Sequence, residues 1–143
     1  MSVFSSMQIN ASGLTVERLK MDLISTNIAN VNTTRTDEGG PYRRKTLIFE
    51  ENLVAERNRL LDNIANNSKG VRAVAIEEDE NFRIIYEPDH PDANEDGYVQ
   101  MPNVNMVDEM IALINAQRSY EANVTALNAS KSILKKALEI SKG

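Results

Sequence analysis

The sequence predicts an α+β fold in which long N- and C-terminal helices pack as a coiled-coil-like pair and bracket a small strand-containing insert domain. Three observations carry this expectation. Apolar residues recur at every seventh position near both ends, over several turns each time, as the buried side of a helix does. All 4 prolines and 4 of the 6 glycines fall between those ends, where short β-branched and aromatic runs replace the helical period. Charge divides the same way: residues 34–102 hold 9 basic and 15 acidic side chains, against 2 and 2 in residues 1–33 and 5 and 4 in residues 103–143. The net charge of −5 is therefore a property of the insert. We take 1–33 as the N-terminal core helix, 34–102 as the acidic insert domain and 103–143 as the C-terminal core helix.

In the first helix Met7, Leu14, Met21 and Ile28 form one track, with Phe4 and Ala11 beside it early and Ile24 and Val31 late. Ile9, Val16 and Leu23, with Leu19 nearby, form a second, roughly 160° around the helix. Two separated apolar faces call for two partners. The first track is assigned to the C-terminal helix and the second to a neighbouring subunit. Asn27 and Asn30 share a face at the Asn-rich helix end, where their amides bond backbone groups as the helix terminates, or also hold a neighbouring subunit in register.

Gly39-Gly40-Pro41 stops any helix, and strand-like runs follow at Arg44–Phe49, Val71–Ile76, Phe82–Tyr86 and Tyr98–Met101. Glu51–Asn66 fits a helix or an ordered loop, and Leu53, Leu60, Leu61 and Ile64 favour the helix. In the last element Met106, Leu113, Tyr120, Leu127 and Leu134 keep an unbroken seven-residue track, with Met110, Val124 and Leu138 four residues after alternate members. Val107, Ile111, Ile114 and Ile133 widen the apolar surface beyond one seam. Asn105 is the expected N-cap, Asp108 and Glu109 suit the positive helix start, and Lys135, Lys136 and Lys142 suit the negative end.

Composition closes off most chemistry. Without cysteine and with His90 alone, there is no thiolate nucleophile, disulfide framework or Cys/His metal centre. A net acidic chain is a poor nucleic-acid binder, no stretch is apolar enough to span a bilayer, and the opening residues lack a cleavable signal pattern. Asp92-Ala93-Asn94-Glu95-Asp96-Gly97 matches the start of a calcium loop, but Asn103 stands where the closing Glu is needed, so an Asx turn leading into Tyr98 is favoured. His90 is read as a turn-bracing side chain, Glu77–Glu80 as a solvated hairpin connection, and Arg43-Arg44-Lys45 as the solvent side of a strand. No cofactor, metal or catalytic arrangement is expected.

Leu23-Ile24-Ser25-Thr26-Asn27-Ile28-Ala29-Asn30-Val31-Asn32-Thr33-Thr34 resembles the N-terminal signature of the bacterial flagellar rod and hook proteins. Val104–Met110, continuing through Ala116-Gln117-Arg118-Ser119-Tyr120-Glu121-Ala122-Asn123, resembles the C-terminal helix of the same axial family. Gly40–Lys45, Tyr86–Ala93, Gly97-Tyr98-Val99 and Pro102–Asn105 are similar to its proximal rod branch. The resemblance implies a structural subunit, not an enzyme, in a helical tube that transmits motor torque and encloses the export channel. It implies other rod proteins, further copies of the chain and the adaptor between export gate and MS ring as partners, without nucleic acid, membrane insertion or small-molecule substrate. It further implies a periplasmic position in the basal body, reached by type III export without signal cleavage. Arg118 and Asn123 join the apolar tracks as packing or interface residues on this ground. A calcium-binding module and a coiled-coil adaptor are the alternatives.

Overall fold

A computed structural model describes residues 3–57 and 64–142. The element order is α1 (Val3–Ala29), β1 (Lys45–Arg57), β2 (Ile64–Glu78), β3 (Phe82–Tyr86), β4 (Tyr98–Pro102) and α2 (Met106–Lys142). Two long helices with two two-stranded sheets between them in sequence give the expected α+β class. β1 pairs with β2, and β3 pairs antiparallel with β4, from Phe82 opposite Pro102 to Tyr86 opposite Tyr98.

Most boundaries follow the local chemistry. The Asn105 side-chain oxygen accepts from the Val107 amide at 3.1 Å, while its backbone carbonyl takes the first helical bond, from Glu109 at 3.0 Å. That is an N-cap with two acidic residues in the first turn. At the end of α1, Asn30 Nδ2 donates to the Thr26 carbonyl at 2.9 Å and Thr33 Oγ1 donates to Asn30 Oδ1 at 3.1 Å. The Asn30 side-chain amide thus adds a second bond to a carbonyl that already accepts from the Asn30 backbone amide at 3.1 Å, closing the helix end with local side-chain bonds. The chain then turns at Gly39 and Gly40, both at positive φ (89° and 79°).

One expectation fails. Glu51–Arg57 and Ile64–Asn66 lie in strands β1 and β2, not in a helix; residues 58–63 fall outside the described residues. The spacing of Leu53, Leu60, Leu61 and Ile64 suits a helix, but it rests on four residues, and pairing of β1 with β2 overrides it.

Two compact units divide the chain, and each takes part of both helices. The first comprises the described parts of Met1–Leu19, Ile48–Ala75 and Ala116–Gly143. Val16 and Ala116 are buried in it. The Ser12 hydroxyl donates to the Ile9 carbonyl at 2.7 Å and accepts from the Val71 amide at 3.1 Å, tying α1 to β2. Gly70, at φ 101°, passes so close that a Cβ would overlap Ser12 Oγ and lie 3.2 Å from Ile9 Cα. Gly13 likewise faces Asn123, whose Nδ2 would stand 2.9 Å from an added Cβ, so α1 and α2 approach there without a large side chain between them.

The second unit, Lys20–Leu47 with Ile76–Asn115, buries Ile24, Tyr42, Val99, Met101 and Val104. Its β3–β4 connection is an ordered turn. Asn94 Oδ1 accepts from the amides of Asp96 (3.1 Å) and Tyr98 (2.8 Å), the Asx turn expected at this place. His90 Nδ1 accepts from the Asp92 amide at 3.1 Å, bracing the same turn. No described helix is long and apolar enough to cross a membrane.

Candidate functional site

The most constrained polar group of the second unit is at the junction of α1, β1 and α2. Asn27, 1% exposed, uses its whole amide there. Its Oδ1 accepts from Tyr42 Oη and from the Lys45 backbone amide, both at 2.9 Å. Its Nδ2 donates to the Lys45 carbonyl at 2.9 Å and to Glu109 Oε2 at 3.2 Å. Two acceptor and two donor positions are all an asparagine side chain has, so the amide is saturated within its own chain. Glu109, also 1% exposed, receives Arg44 Nε on Oε1 at 2.6 Å. Burial raises the Tyr42 hydroxyl above its ordinary pKa, with Glu78 and Glu109 adding to the effect, which keeps it a donor to Asn27.

These contacts convert local sequence into tertiary registration. Asn27 at the end of α1 takes both backbone groups of Lys45 as a paired strand would, fixing where β1 begins. Glu109, one turn into α2, accepts from α1 and from the strand side together. No atom in the cluster is placed as a nucleophile with a base. Among the described residues no group of metal-ligating side chains converges.

The cluster corrects one reading. Arg44 is not simply on the solvent side of a strand, because it carries the charge that balances Glu109. Lys45 reaches Glu78 at 3.3 Å, and the Arg43 guanidinium stands 6.0 Å from the Phe82 ring centre. The Glu77–Glu80 connection is also more structured than a solvated charge run: Asp79 accepts from Asn81 and Asn103 side chains at 2.7 and 3.0 Å.

The helix faces depart from their assignment in register. On α2 the fully covered positions are Glu109 and Ala116, seven apart, with Asn123 next in that line. Leu113, Tyr120, Leu127 and Leu134, each four residues beyond a member of the line 109, 116, 123 and 130, are half-buried. Met106, Met110 and Leu138 are exposed, and so is Arg118. On α1, Val16 is buried in the first unit although its track is assigned to a neighbour, and Ile24 is buried in the second. Ile9, Leu23, Met7, Leu14, Met21, Ile28 and Asn30 are half-buried. The inner seam uses Gly13, Ala116, Asn123 and Glu109, small or polar residues that a search for large apolar side chains passes over. Glu109, Ala116 and Asn123 keep a seven-residue spacing of their own, which is the signal that could have found them; Gly13 carries none.

Part of the exposed apolar surface forms a continuous stripe near the start of α2. Val107, Met110, Ile111 and Ile114 occupy i, i+3, i+4 and i+7 on α2, a continuous stripe, and each is at least half exposed.

Comparison with known proteins decides what kind of chain this is. Residues 7–35 match the family described as flagella basal body rod protein, and residues 95–140 match flagellar basal body rod FlgEFG protein C-terminal. Relatives named flagellar basal-body rod protein FlgC include that of Borreliella burgdorferi, 44% identical over the full length of both chains. That of Bacillus subtilis is 45% identical over 99% of this chain and 100% of its own, and that of Salmonella typhimurium 32% over 98% of each. The chain belongs to the flagellar basal-body rod protein FlgC family. It is a structural rod subunit of the flagellar basal body and not an enzyme. The Asn27–Glu109 cluster joins the two family-matched helical segments: Asn27 lies within 7–35 and Glu109 within 95–140.

Proposed function

We propose that the chain assembles with copies of itself and with other rod proteins into the helical tube of the proximal, periplasmic rod, which transmits torque and encloses the export channel. Residues 1–33 and 103–143 form the tube's core and the acidic residues 34–102 its outer part. The observation that carries this reading is the Val107, Met110, Ile111 and Ile114 stripe, with Met106 beside it, uncovered on a chain of a rod family. Contiguous exposed apolar stripes of this kind mark surfaces that a partner covers. Neighbouring subunits cover this stripe and the Ile9 and Leu23 side of α1, half-buried within the subunit. Leu113, Tyr120, Leu127 and Leu134, with Met7, Leu14, Met21 and Ile28 and the buried Val16 and Asn27, serve packing inside the subunit. Asn30, Arg118 and Asn123 stand at the margins of the two sets. Contacts between unlike faces do not close on themselves, and repeat as an open helix.

Ile111→Asp tests the assignment, since it alters an exposed position and leaves the inner seam intact. The purified variant is expected to keep its circular dichroism and melting temperature, while cells carrying it lack the subunit in purified basal bodies and do not swim. Normal incorporation and swimming would overturn the interface assignment.

A further inference from the structure

The β3–β4 ribbon has one face with no role inside the second unit. Pairing of Ile84 with Gln100 and of Tyr86 with Tyr98 puts these four residues on one side, whereas Val99 and Met101, on the other, are buried. Ile84 and Tyr86 are about two-thirds exposed, at 65% and 62%. The Tyr86 and Tyr98 rings meet edge to face, 5.3 Å between centres. Gly97, at φ 79°, passes so close to the Tyr86 ring that an added Cβ would stand 2.9 Å from its Cε2. The apolar platform is therefore held in place before any partner arrives, which lowers the cost of binding to it.

Carboxylates surround this platform. Glu87, Asp89, Asp92, Glu95 and Asp96 are all exposed, and none forms an ion pair among the described residues. Each ring borders a hollow of its own. Tyr98, with Ile84 and Gln100, lines one of about 270 Å³ that also holds Asp92, whose Oδ2 accepts from Thr34 Oγ1 at 2.7 Å. That bond orients the carboxylate and leaves it further lone pairs. Tyr86 lines the other hollow with Glu87 and Asp89. A guanidinium or ammonium entering either one meets a carboxylate and a tyrosine ring together. The same charges repel nucleic acid and anionic lipid headgroups, and an apolar platform with a cation position beside each ring calls for a polypeptide, not a small ion.

We propose that this face receives an extended segment of a protein outside the rod, one that carries an apolar side chain between two arginines or lysines. The apolar side chain lies on Ile84 and the Tyr86–Tyr98 rings, and one cation enters each hollow. Alternate side chains of an extended segment project to the same side, so its sequence reads cation, any residue, apolar, any residue, cation. The partner's position rests on the reading that residues 34–102 form the outer part of the tube, which leaves this face to proteins beyond the core.

Titration of the full chain, labelled with nitrogen-15, tests it. The probe is a capped heptapeptide of sequence glycine, arginine, serine, isoleucine, serine, arginine, glycine. Saturable shifts confined to the amides of residues 84–100 are expected. Binding should weaken at least about tenfold when glutamate replaces both arginines, and as much with Tyr86→Ser or with Asp89→Asn and Asp92→Asn together, each variant keeping its circular dichroism. Equal binding of the glutamate peptide, shifts elsewhere on the chain or no saturable shift would overturn the proposal. In cells that build flagella, benzoylphenylalanine in place of Ile84 should crosslink, in purified basal bodies, to a segment of the stated pattern in a protein outside the rod family. That adduct should fall about tenfold with Asp89→Asn and Asp92→Asn. An adduct to a copy of this chain or to another rod protein would overturn the choice of partner. The titration needs no rod, so its failure leaves the rod reading standing, whereas normal incorporation of Ile111→Asp bears on that reading alone.

Discussion

Removing the Arg44 cation while keeping its stem, as Arg44→Met, leaves Glu109 almost fully buried with only the Asn27 amide as partner. Breaking a fully buried pair costs about 3–5 kcal/mol. The Arg44 side chain is 38% exposed, however, so water reaches the vacated position and the loss is closer to that of one charge-assisted hydrogen bond, about 2 kcal/mol. For a chain of this size that is a fall in melting temperature of roughly 4–8 °C, or about 1 M in urea midpoint. Glu109→Met costs less, because it strands no charge away from water. The double variant Arg44→Met/Glu109→Met should regain at least half of the Arg44→Met loss, a coupling of about 1–2 kcal/mol. Urea titration followed by far-ultraviolet circular dichroism measures all three. An Arg44→Met loss below about 0.5 kcal/mol, or strictly additive losses in the double variant, would refute the view that Arg44 balances a buried charge.

Gly70→Ala places a methyl group against Ser12 Oγ at a positive φ, and should lower stability by about 1–3 kcal/mol in the same titration. The Asp79 carboxyl is held below its ordinary value of 3.8 by the Asn81 backbone amide first, then by the Asn81 and Asn103 side chains, against a small opposing effect of burial and with help from Arg44. Unfolded chain therefore takes up that proton first, so this contribution is complete above pH 3.8 and is lost as pH falls through the folded value. Asp79→Asn should flatten that acid limb in melts recorded across pH. Tyr42 behaves in the opposite sense: its raised value means the unfolded phenol ionises first above pH 10.0, and stability declines as pH climbs beyond it. Tyr42→Phe should remove that decline while costing about 1 kcal/mol at neutral pH through the lost bond to Asn27.

Much of the architecture was legible because local chemistry and tertiary structure agree. Seven-residue spacing places both helices, Asn105 caps α2 as its type predicts, and β3 occupies the strand-like run Phe82–Tyr86. Glu51–Asn66 was misread because pairing with another strand, invisible in a short window, outweighs an ambiguous spacing of leucines. The inner seam was assigned one step off. Hydropathy ranks Met110 and Leu138 above Glu109, Ala116 and Asn123, yet close approach at Gly13 favours small side chains, and Glu109 is admitted by Arg44 and Asn27 from outside α2. Asn27 itself was legible as unusual. Its partners Tyr42, Lys45 and Glu109 were not, since nothing in the local sequence says which distant backbone an amide will take.

Because the chain has no cysteine, a single one introduced at Ile111 reports coverage of the α2 stripe without interference. The decisive measurement is the rate of maleimide labelling of Ile111→Cys in the free subunit and in purified basal bodies, with Glu38→Cys on an exposed turn as control. Coverage by neighbours predicts labelling slowed at least about tenfold at position 111 in basal bodies, and little change at position 38. Equal labelling of position 111 in both states would contradict the account of the stripe as the surface through which the subunit is built into the rod.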